Sequence, residues 1–294
     1  MKIRVPASSA NLGPGFDTLG LALGLYNEAV IERSNYLSIS VKGEGSDKPY
    51  IKKNNTFVNI FYDTYNELVG KKDNFRFAFT NSIPFSRGLG SSSSVIVGAI
   101  ASAYHMAGYN VDKEQVLNCA LKLESHPDNI TPCVYGGFAV SVTYNGKVIM
   151  LKKELPKDIC AVVVIPNISI STESARGILP KQYKITDVVF NLSRAALMSA
   201  AFMSENWDML KTAACDKLHE EIRMGKLPEL FDVRRVALEN GALMSVLSGS
   251  GSSFLNLVYL KHAKKLLHAL QTEFSDFKVM ELELDNQGFF ITKS

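Results

Sequence analysis

Residues 84–94 read Pro-Phe-Ser-Arg-Gly-Leu-Gly-Ser-Ser-Ser-Ser, and a run rich in small residues follows directly. Two glycines in this spacing free the backbone from the limits a Cβ imposes and leave room for a ligand close to the main chain. Four serines then present hydroxyls and amide N–H groups at the start of a helix predicted over 91–106. The first N–H groups of a helix have no partner within it, and the helix dipole favours negative charge there. The chemistry of such a turn is anion binding, above all of phosphate. It is not a Walker loop, because no Gly-Lys-Ser/Thr follows the glycines. A Gly/Ser run alone is also the composition of a flexible linker, so the reading leans on two further segments.

One is 6–20, Pro-Ala-Ser-Ser-Ala-Asn-Leu-Gly-Pro-Gly-Phe-Asp-Thr-Leu-Gly, at the end of a short apolar run at 3–5. The other is 247–253, Leu-Ser-Gly-Ser-Gly-Ser-Ser, between β-like runs at 243–246 and 254–260. A turn between strands accounts for one glycine pair. It does not account for three such segments in one chain of 294 residues.

Together the three segments resemble the GHMP kinase superfamily of small-molecule kinases. That superfamily carries an N-terminal substrate motif, a Pro-x-x-x-Gly-Leu-Gly-Ser-Ser phosphate loop and a C-terminal Gly/Ser-rich loop. Within it the chain is similar to the homoserine kinase family. Pro6, Ser8, Ser9, Ala10, Asn11, Leu12, Gly13, Pro14, Gly15, Phe16, Asp17, Leu19 and Gly20 match that family's first motif without a gap. The stretch 124–132, Glu-Ser-His-Pro-Asp-Asn-Ile-Thr-Pro, with Gly136 and Gly137, matches its central motif.

The resemblance implies an ATP-dependent kinase that uses Mg²⁺ and phosphorylates the hydroxyl of L-homoserine, a step toward threonine. On it, the nucleotide phosphates belong to the loop of Pro84, Phe85, Ser86, Arg87, Gly88, Leu89, Gly90, Ser91, Ser92, Ser93 and Ser94. Asn55 stands on the adenine side, with an ordinary helix N-cap as the competing reading. Arg87 reaches a phosphate or is simply an exposed loop arginine. Phosphoryl transfer needs charge compensation and in-line positioning rather than covalent help. Mg²⁺ prefers oxygen ligands and keeps several waters, and the resemblance gives it Ser92 and Glu124. Arg176 and Arg223 stand where the family carries arginines for the substrate carboxylate, a task that suits a planar guanidinium. Thr172 is their polar neighbour, Asp17 takes the ammonium, Asn11 orients the substrate and His126 faces the same cavity. Asp128, beside Asn129, is the candidate for a catalytic base. In a loose transition state the attacking hydroxyl loses its proton late, so transfer without a dedicated base is the favoured expectation. The rival readings are another kinase of the same superfamily and a nucleotide-binding regulatory protein without turnover. Two cations and one anion match an amino acid rather than a neutral sugar, and Ser92 with Glu124 argues for turnover.

The elements that must position these residues mix strands and helices in both halves. Alternation marks strands at 29–32, 37–41 and 75–80, and a hairpin joins 138–142 to 147–151 across Tyr144-Asn145-Gly146. Helices are predicted at 59–68, 91–106, 113–123, 187–205, 207–223, 228–240 and 261–274, with strands at 160–165 and 278–284. Pro228 inside its first turn and Gly241 past its end punctuate one of them. A polar break at 156–158 suggests a nucleotide-binding domain over 1–151 and a C-terminal domain over 152–294. The class is α+β or mixed α/β. The resemblance implies the two-domain GHMP kinase fold, with a ribosomal protein S5 domain 2-like N-terminal domain and a ferredoxin-like C-terminal domain.

Composition fits a globular small-molecule enzyme: 46% hydrophobic, 21% charged, net charge +3. That charge is too small to argue for nucleic acid or an anionic membrane. The four cysteines form no Cys-x-x-Cys pair, and three lie in apolar stretches, which reads as buried free thiols in a reducing cytoplasm. The N-terminus lacks an apolar signal core, and the apolar run at 95–107 contains His105 and is too short to span a bilayer. A homodimer is the common expectation for such an enzyme.

Overall fold

The computed structural model describes residues 1–71 and 73–292. Strand β1 (Lys2–Ala10) buries alternate residues at first and then every residue from Val5 on, because both its faces become covered. Strand β2 (Leu19–Ser34) is sixteen residues long and serves two partners along one edge. Its first residues, Leu19 to Leu21, pair with β5 (Phe138–Tyr144), and its second half pairs with β4 (Asn74–Asn81). β3 (Ser38–Gly43) runs parallel to β4, with α1 (Pro49–Lys53) and α2 (Thr56–Val69) crossing between them. β5 pairs in turn with β6 (Lys147–Lys153).

Phe75, Phe77 and Phe79 alternate along β4 toward α2, where Phe57, Phe61 and Tyr65 meet them. Aromatic pairs at these separations add to the burial of apolar area. Helix α3 (Ser91–Met106) lies against β1 and α2 and is buried nearly all round after its first turn. Its run of Ala, Gly and Ser is what such close neighbours require. α4 (Lys113–Leu121) and α5 (Pro127–Tyr135) complete this layer.

The second half builds an antiparallel sheet around β7 (Ile159–Ile165), whose seven residues are all buried. After it come α6 (Thr172–Gly177), α7 (Ile185–Ser204), a 3-10 turn at Trp207–Met209, α8 (Leu210–Ala213), α9 (Glu220–Met224) and α10 (Glu229–Glu239). The chain closes with β8 (Met244–Leu247), β9 (Phe254–Tyr259), α11 (Leu260–Glu273), β10 (Lys278–Leu282) and β11 (Phe290–Thr292). The strand order is β10-β7-β9-β8. One face of this sheet packs on α10 and α11. The other joins a core shared with the first half, where Phe138 of β5 stacks on Phe202 of α7 at 4.0 Å.

The architecture is α+β, as expected, but three boundaries move. The division at 151–152 cuts β6, and β11 returns to pair with β1 in the first sheet, so the last strand does not stay with the second half. The single helix expected over 207–223 is broken. The Asp216 carboxylate accepts hydrogen bonds from the N–H groups of Leu218, His219 and Glu220, at 3.1, 2.7 and 2.8 Å, and starts a new helix there. The apolar run at 3–5 is part of a strand that extends from 2 to 10. All four cysteines are free: Cys133 and Cys160 are buried, Cys119 is half-buried and Cys215 is exposed. Among the described residues no helix is long and apolar enough to cross a membrane.

Candidate active site

The loop between β4 and α3 is shaped by its two glycines. Gly88 and Gly90 have φ of +73° and +67°, in the left-handed region. A Cβ at Gly88 would lie 2.0 Å from the Ser248 carbonyl oxygen, and one at Gly90 would lie 2.0 Å from the Ser8 hydroxyl. The space a side chain would need is thus filled by the protein itself rather than by a ligand, which corrects the reason sequence reasoning gave for them. Gly90 is the N-cap of α3 and brings no side-chain cap. The N–H groups of the first turn are therefore left for whatever enters from solvent.

The loop is pinned from both halves of the molecule. Ser8 N donates to Leu89 O at 3.2 Å, Ile170 N to Ser86 O at 3.0 Å and Ser253 N to Arg87 O at 3.1 Å. The Ser248 hydroxyl lies 2.8 Å from that of Ser9 and 2.7 Å from Gly88 O. Arg87 donates to Pro166 O at 3.0 Å, Asn167 O at 3.1 Å and Phe85 O at 3.3 Å. Its guanidinium fastens the loop to the segment after β7 instead of standing free in the loop.

Two cavities flank the α3 N-terminus. The larger, about 470 Å³, has Phe57, Phe79, Phe85 and Tyr50 in its walls, with Ser91, Ser92 and Ser94 at its inner end. Asn55 lines it and also caps α2, its Oδ1 accepting from Val58 N at 3.1 Å. The smaller, about 170 Å³, is walled by the loop from Pro84 through Ser93, Phe85 excepted. It brings together Asn11, Asp17, Glu124, His126, Asp128, Asn129, Thr172, Arg176 and Arg223, all singled out from sequence.

Within the smaller cavity the ionisable groups are already arranged. Arg176 grips Asp17 with two hydrogen bonds, 2.7 and 3.1 Å, and His126 Nε2 lies 3.6 Å from the same carboxylate. Asn11 holds Asp17 in place: its Oδ1 accepts from Asp17 N at 3.0 Å, while its Nδ2 donates to Gly249 O at 2.9 Å. Glu124 follows the end of α4, and burial raises its pKa. Its partner is the buried Ser93 hydroxyl, at 2.7 Å, whereas Ser92 is exposed at the mouth. Asp128 is 3% exposed, and its pKa is pushed up to about 7, first by burial and then by Asp17 and Glu124. Asn129 accepts from the Ser8 hydroxyl at 2.9 Å. Thr172 Oγ1 lies 3.4 Å from Ser250 Oγ. Arg223 is 4% exposed and donates to Ala175 O, Gly249 O and His219 Nδ1 at 3.3, 3.1 and 3.2 Å.

Sequence reasoning missed Phe16, whose ring lies under both arginines, 5.1 Å from the Arg176 guanidinium and 5.3 Å from that of Arg223. It also missed His219, four residues before Arg223 and so one helical turn away, a spacing that was available as a signal. The arrangement combines an anion seat, a desolvated carboxylate beside it and a paired cation and anion within one small cavity. That is equipment for moving a phosphoryl group onto a small charged acceptor.

Comparison with known proteins agrees. The GHMP kinases N terminal domain matches residues 53–137, and the GHMP kinases C terminal domain matches residues 195–276. A homoserine kinase of Campylobacter jejuni is 58% identical over 99% of this chain and 100% of its own. The crystal structure of homoserine kinase from Cytophaga hutchinsonii superposes with a TM-score of 0.88 at 26% identity, covering 99% of this chain and 97% of that one. Mevalonate kinase of Methanococcus jannaschii shares the fold at a TM-score of 0.73 and 16% identity, over 97% and 98% of the two chains. The fold, the paired cavities and identity of this extent place the chain in the homoserine kinase family of GHMP kinases.

Proposed function

We propose that the protein transfers the γ-phosphoryl group of ATP to the hydroxyl of L-homoserine. The observation that carries this reading is the Asp17–Arg176 pair with Arg223 behind it, in a small cavity against the α3 N-terminus. Homoserine is a zwitterion with a short hydroxyl arm. Its ammonium has a partner in Asp17 and its carboxylate has partners in Arg176 and Arg223. Binding then replaces one internal ion pair by two, and no charge is left buried alone. An acceptor with a carboxylate and no amine leaves Asp17 without that exchange.

The nucleotide reading puts the purine in the larger cavity and its phosphates over the loop and the first turn of α3. Asn55 stays a cap in this reading and contributes to the cavity wall. Mg²⁺ would be held by Glu124 and Ser92, with Ser93 fixing the Glu124 carboxylate. The donor set fits the ion: hard oxygens, few in number, with room for water and phosphate oxygens. Glu124 is desolvated and has no cation beside it among the described residues, which is the state of a carboxylate built to receive one. When bound, the ion supplies charge neutralisation at the transferring phosphates.

The chain's own residues do the rest. The loop N–H groups orient the phosphates, Asn11 and Asn129 brace the two walls, and Arg176, Arg223 and Asp17 aim the hydroxyl in line. Asp128 is close to half-protonated at neutral pH and sits among like charges. Its raised pKa makes it a stronger proton acceptor than an ordinary carboxylate, so the case against a base rests on the loose transition state, in which the hydroxyl proton leaves late. We therefore keep the reading without a dedicated base.

The test is ADP release with ATP and a panel of alcohols: homoserine, mevalonate, galactose and shikimate. Homoserine is expected to give the highest kcat/KM by a wide margin. Preference for any other acceptor removes the substrate assignment and leaves the kinase.

A further inference from the structure

We propose that His219 is a positioning residue for the amino-acid substrate, fixing the Arg223 guanidinium through one neutral tautomer of its ring. This deepens the reading of Arg223 as a carboxylate anchor and rests on it. The His219 ring is buried, 1% exposed, at the N-cap of α9. Its Nε2 lies 2.8 Å from Gly13 O. A carbonyl oxygen only accepts, so Nε2 carries the hydrogen. Its Nδ1 lies 3.2 Å from Arg223 Nη1. A guanidinium only donates, so Nδ1 offers a lone pair. Both contacts are satisfied by the neutral Nε2–H form and by no other.

The ring thereby ties the first motif to the arginine across 206 residues of sequence. Arg223 Nε and Nη1 are held by Ala175 O, Gly249 O and His219, which leaves Nη2 without a protein acceptor among the described residues. Phe16 packs on the His219 ring at 5.1 Å and lies under both arginines, so the fork has little freedom to swing. A preset arginine loses less entropy on binding a carboxylate than a mobile one.

The charges facing the ring are known. The Asp216 carboxylate comes within 3.8 Å of Nε2, Asp17 approaches from the first motif, and Arg223 stands on the same helix. Arg176 sits across Phe16. Burial, with Arg223 helping, outweighs the two carboxylates and the hydrogen bond to Gly13 and lowers the His219 pKa from its ordinary 6.5. Protonation would put an N–H on Nδ1 against the guanidinium and push Arg223 out of position.

Three variants test this: His219→Phe, which keeps a packed ring, His219→Gln, whose amide both accepts and donates, and Arg223→Met. Steady-state kinetics would be measured from about pH 8 to about pH 5.5. Arg223→Met is expected to raise KM for homoserine and leave KM for ATP unchanged. His219→Phe should raise KM for homoserine about tenfold, with kcat and KM for ATP little moved, and His219→Gln should restore most of it. In the wild type KM for homoserine should climb on acidification more steeply than in His219→Gln. Both proteins retain Asp128, so its titration cancels. If Arg223→Met raises that KM and His219→Phe does not, the positioning role is overturned and the anchor stands. If Arg223→Met leaves it unchanged, the anchor reading itself fails. Should His219→Phe not fold, the ring ¹⁵N shifts of His219 in the wild type decide, and an Nδ1–H tautomer or a charged ring at about pH 8 overturns the proposal.

Discussion

The two cavities beside the α3 N-terminus differ in size and in kind. The larger, about 470 Å³, has aromatic walls and amide or hydroxyl groups spaced along them. The smaller, about 170 Å³, is lined by Asp17, Glu124, His126, Asp128, Arg176 and Arg223. A purine can be held by shape and buried area, at about 25 cal/mol per Å². An amino acid the size of homoserine has too little apolar area for that, so charge-assisted bonds must hold it. The lesson is that one turn of helix borders both cavities and leaves its N–H groups open between them.

That contrast can be broken most severely at Glu124. Glu124→Gln keeps the Ser93 hydrogen bond and removes the charge. We expect kcat to fall about 10²-fold or more while KM for homoserine stays near its wild-type value. Retention of nearly full turnover in the presence of Mg²⁺ would remove Glu124 from the nucleotide side. Asp17→Asn tests the other cavity. Loss of the ammonium partner should raise KM for homoserine about 10²-fold, the scale of a charge-assisted bond, with KM for ATP unmoved. A parallel rise in both constants would mean that the cavities are not independent.

Asp128→Asn sharpens the comparison through pH. Its folded-state pKa of about 7 lies above the ordinary 3.8, so the stability its protonated form contributes is complete below 3.8 and is lost as pH rises through 7. The variant should therefore gain thermal stability over wild type between pH 4 and pH 8, by up to about 4 kcal/mol. Its kcat should stay within about tenfold of wild type; a loss near 10³-fold with the fold intact would make Asp128 the base. The smallest effect is expected at Asn55. Asn55→Ala removes the α2 cap and should cost about 1 kcal/mol in denaturant melts, with KM for ATP nearly unchanged. A large change in that KM would give Asn55 a direct role toward the nucleotide.

The loop that borders both cavities was the most legible part of the site in sequence. It is a contiguous motif, and helix-start chemistry predicts what that motif does. The smaller cavity gathers residues from Asn11 to Ser250, and only sheet pairing brings them together. The resemblance supplied its members, but their partners lay out of reach: Ser8 with Asn129 and Ser9 with Ser248 are separated by 121 and 239 residues. Gly20 shows why the long β2 was missed. It looks like the end of a loop motif, yet it is a strand residue whose missing side chain clears the Asp128 carbonyl, 1.9 Å from where a Cβ would be. Likewise the apolar spacing across 207–223 said nothing about the Asp216 carboxylate, which outcompetes helix continuation.

The Ser248 hydroxyl has one hydrogen, so it donates to the Gly88 carbonyl and accepts from Ser9. The turn proposed to receive phosphate thus draws its stiffness from a strand at the head of the chain and a loop near its tail. Neither half on its own can present that turn in working shape. Heat or denaturant that loosens the second sheet should extinguish nucleotide affinity at the same point, and the two halves should melt as a single cooperative body.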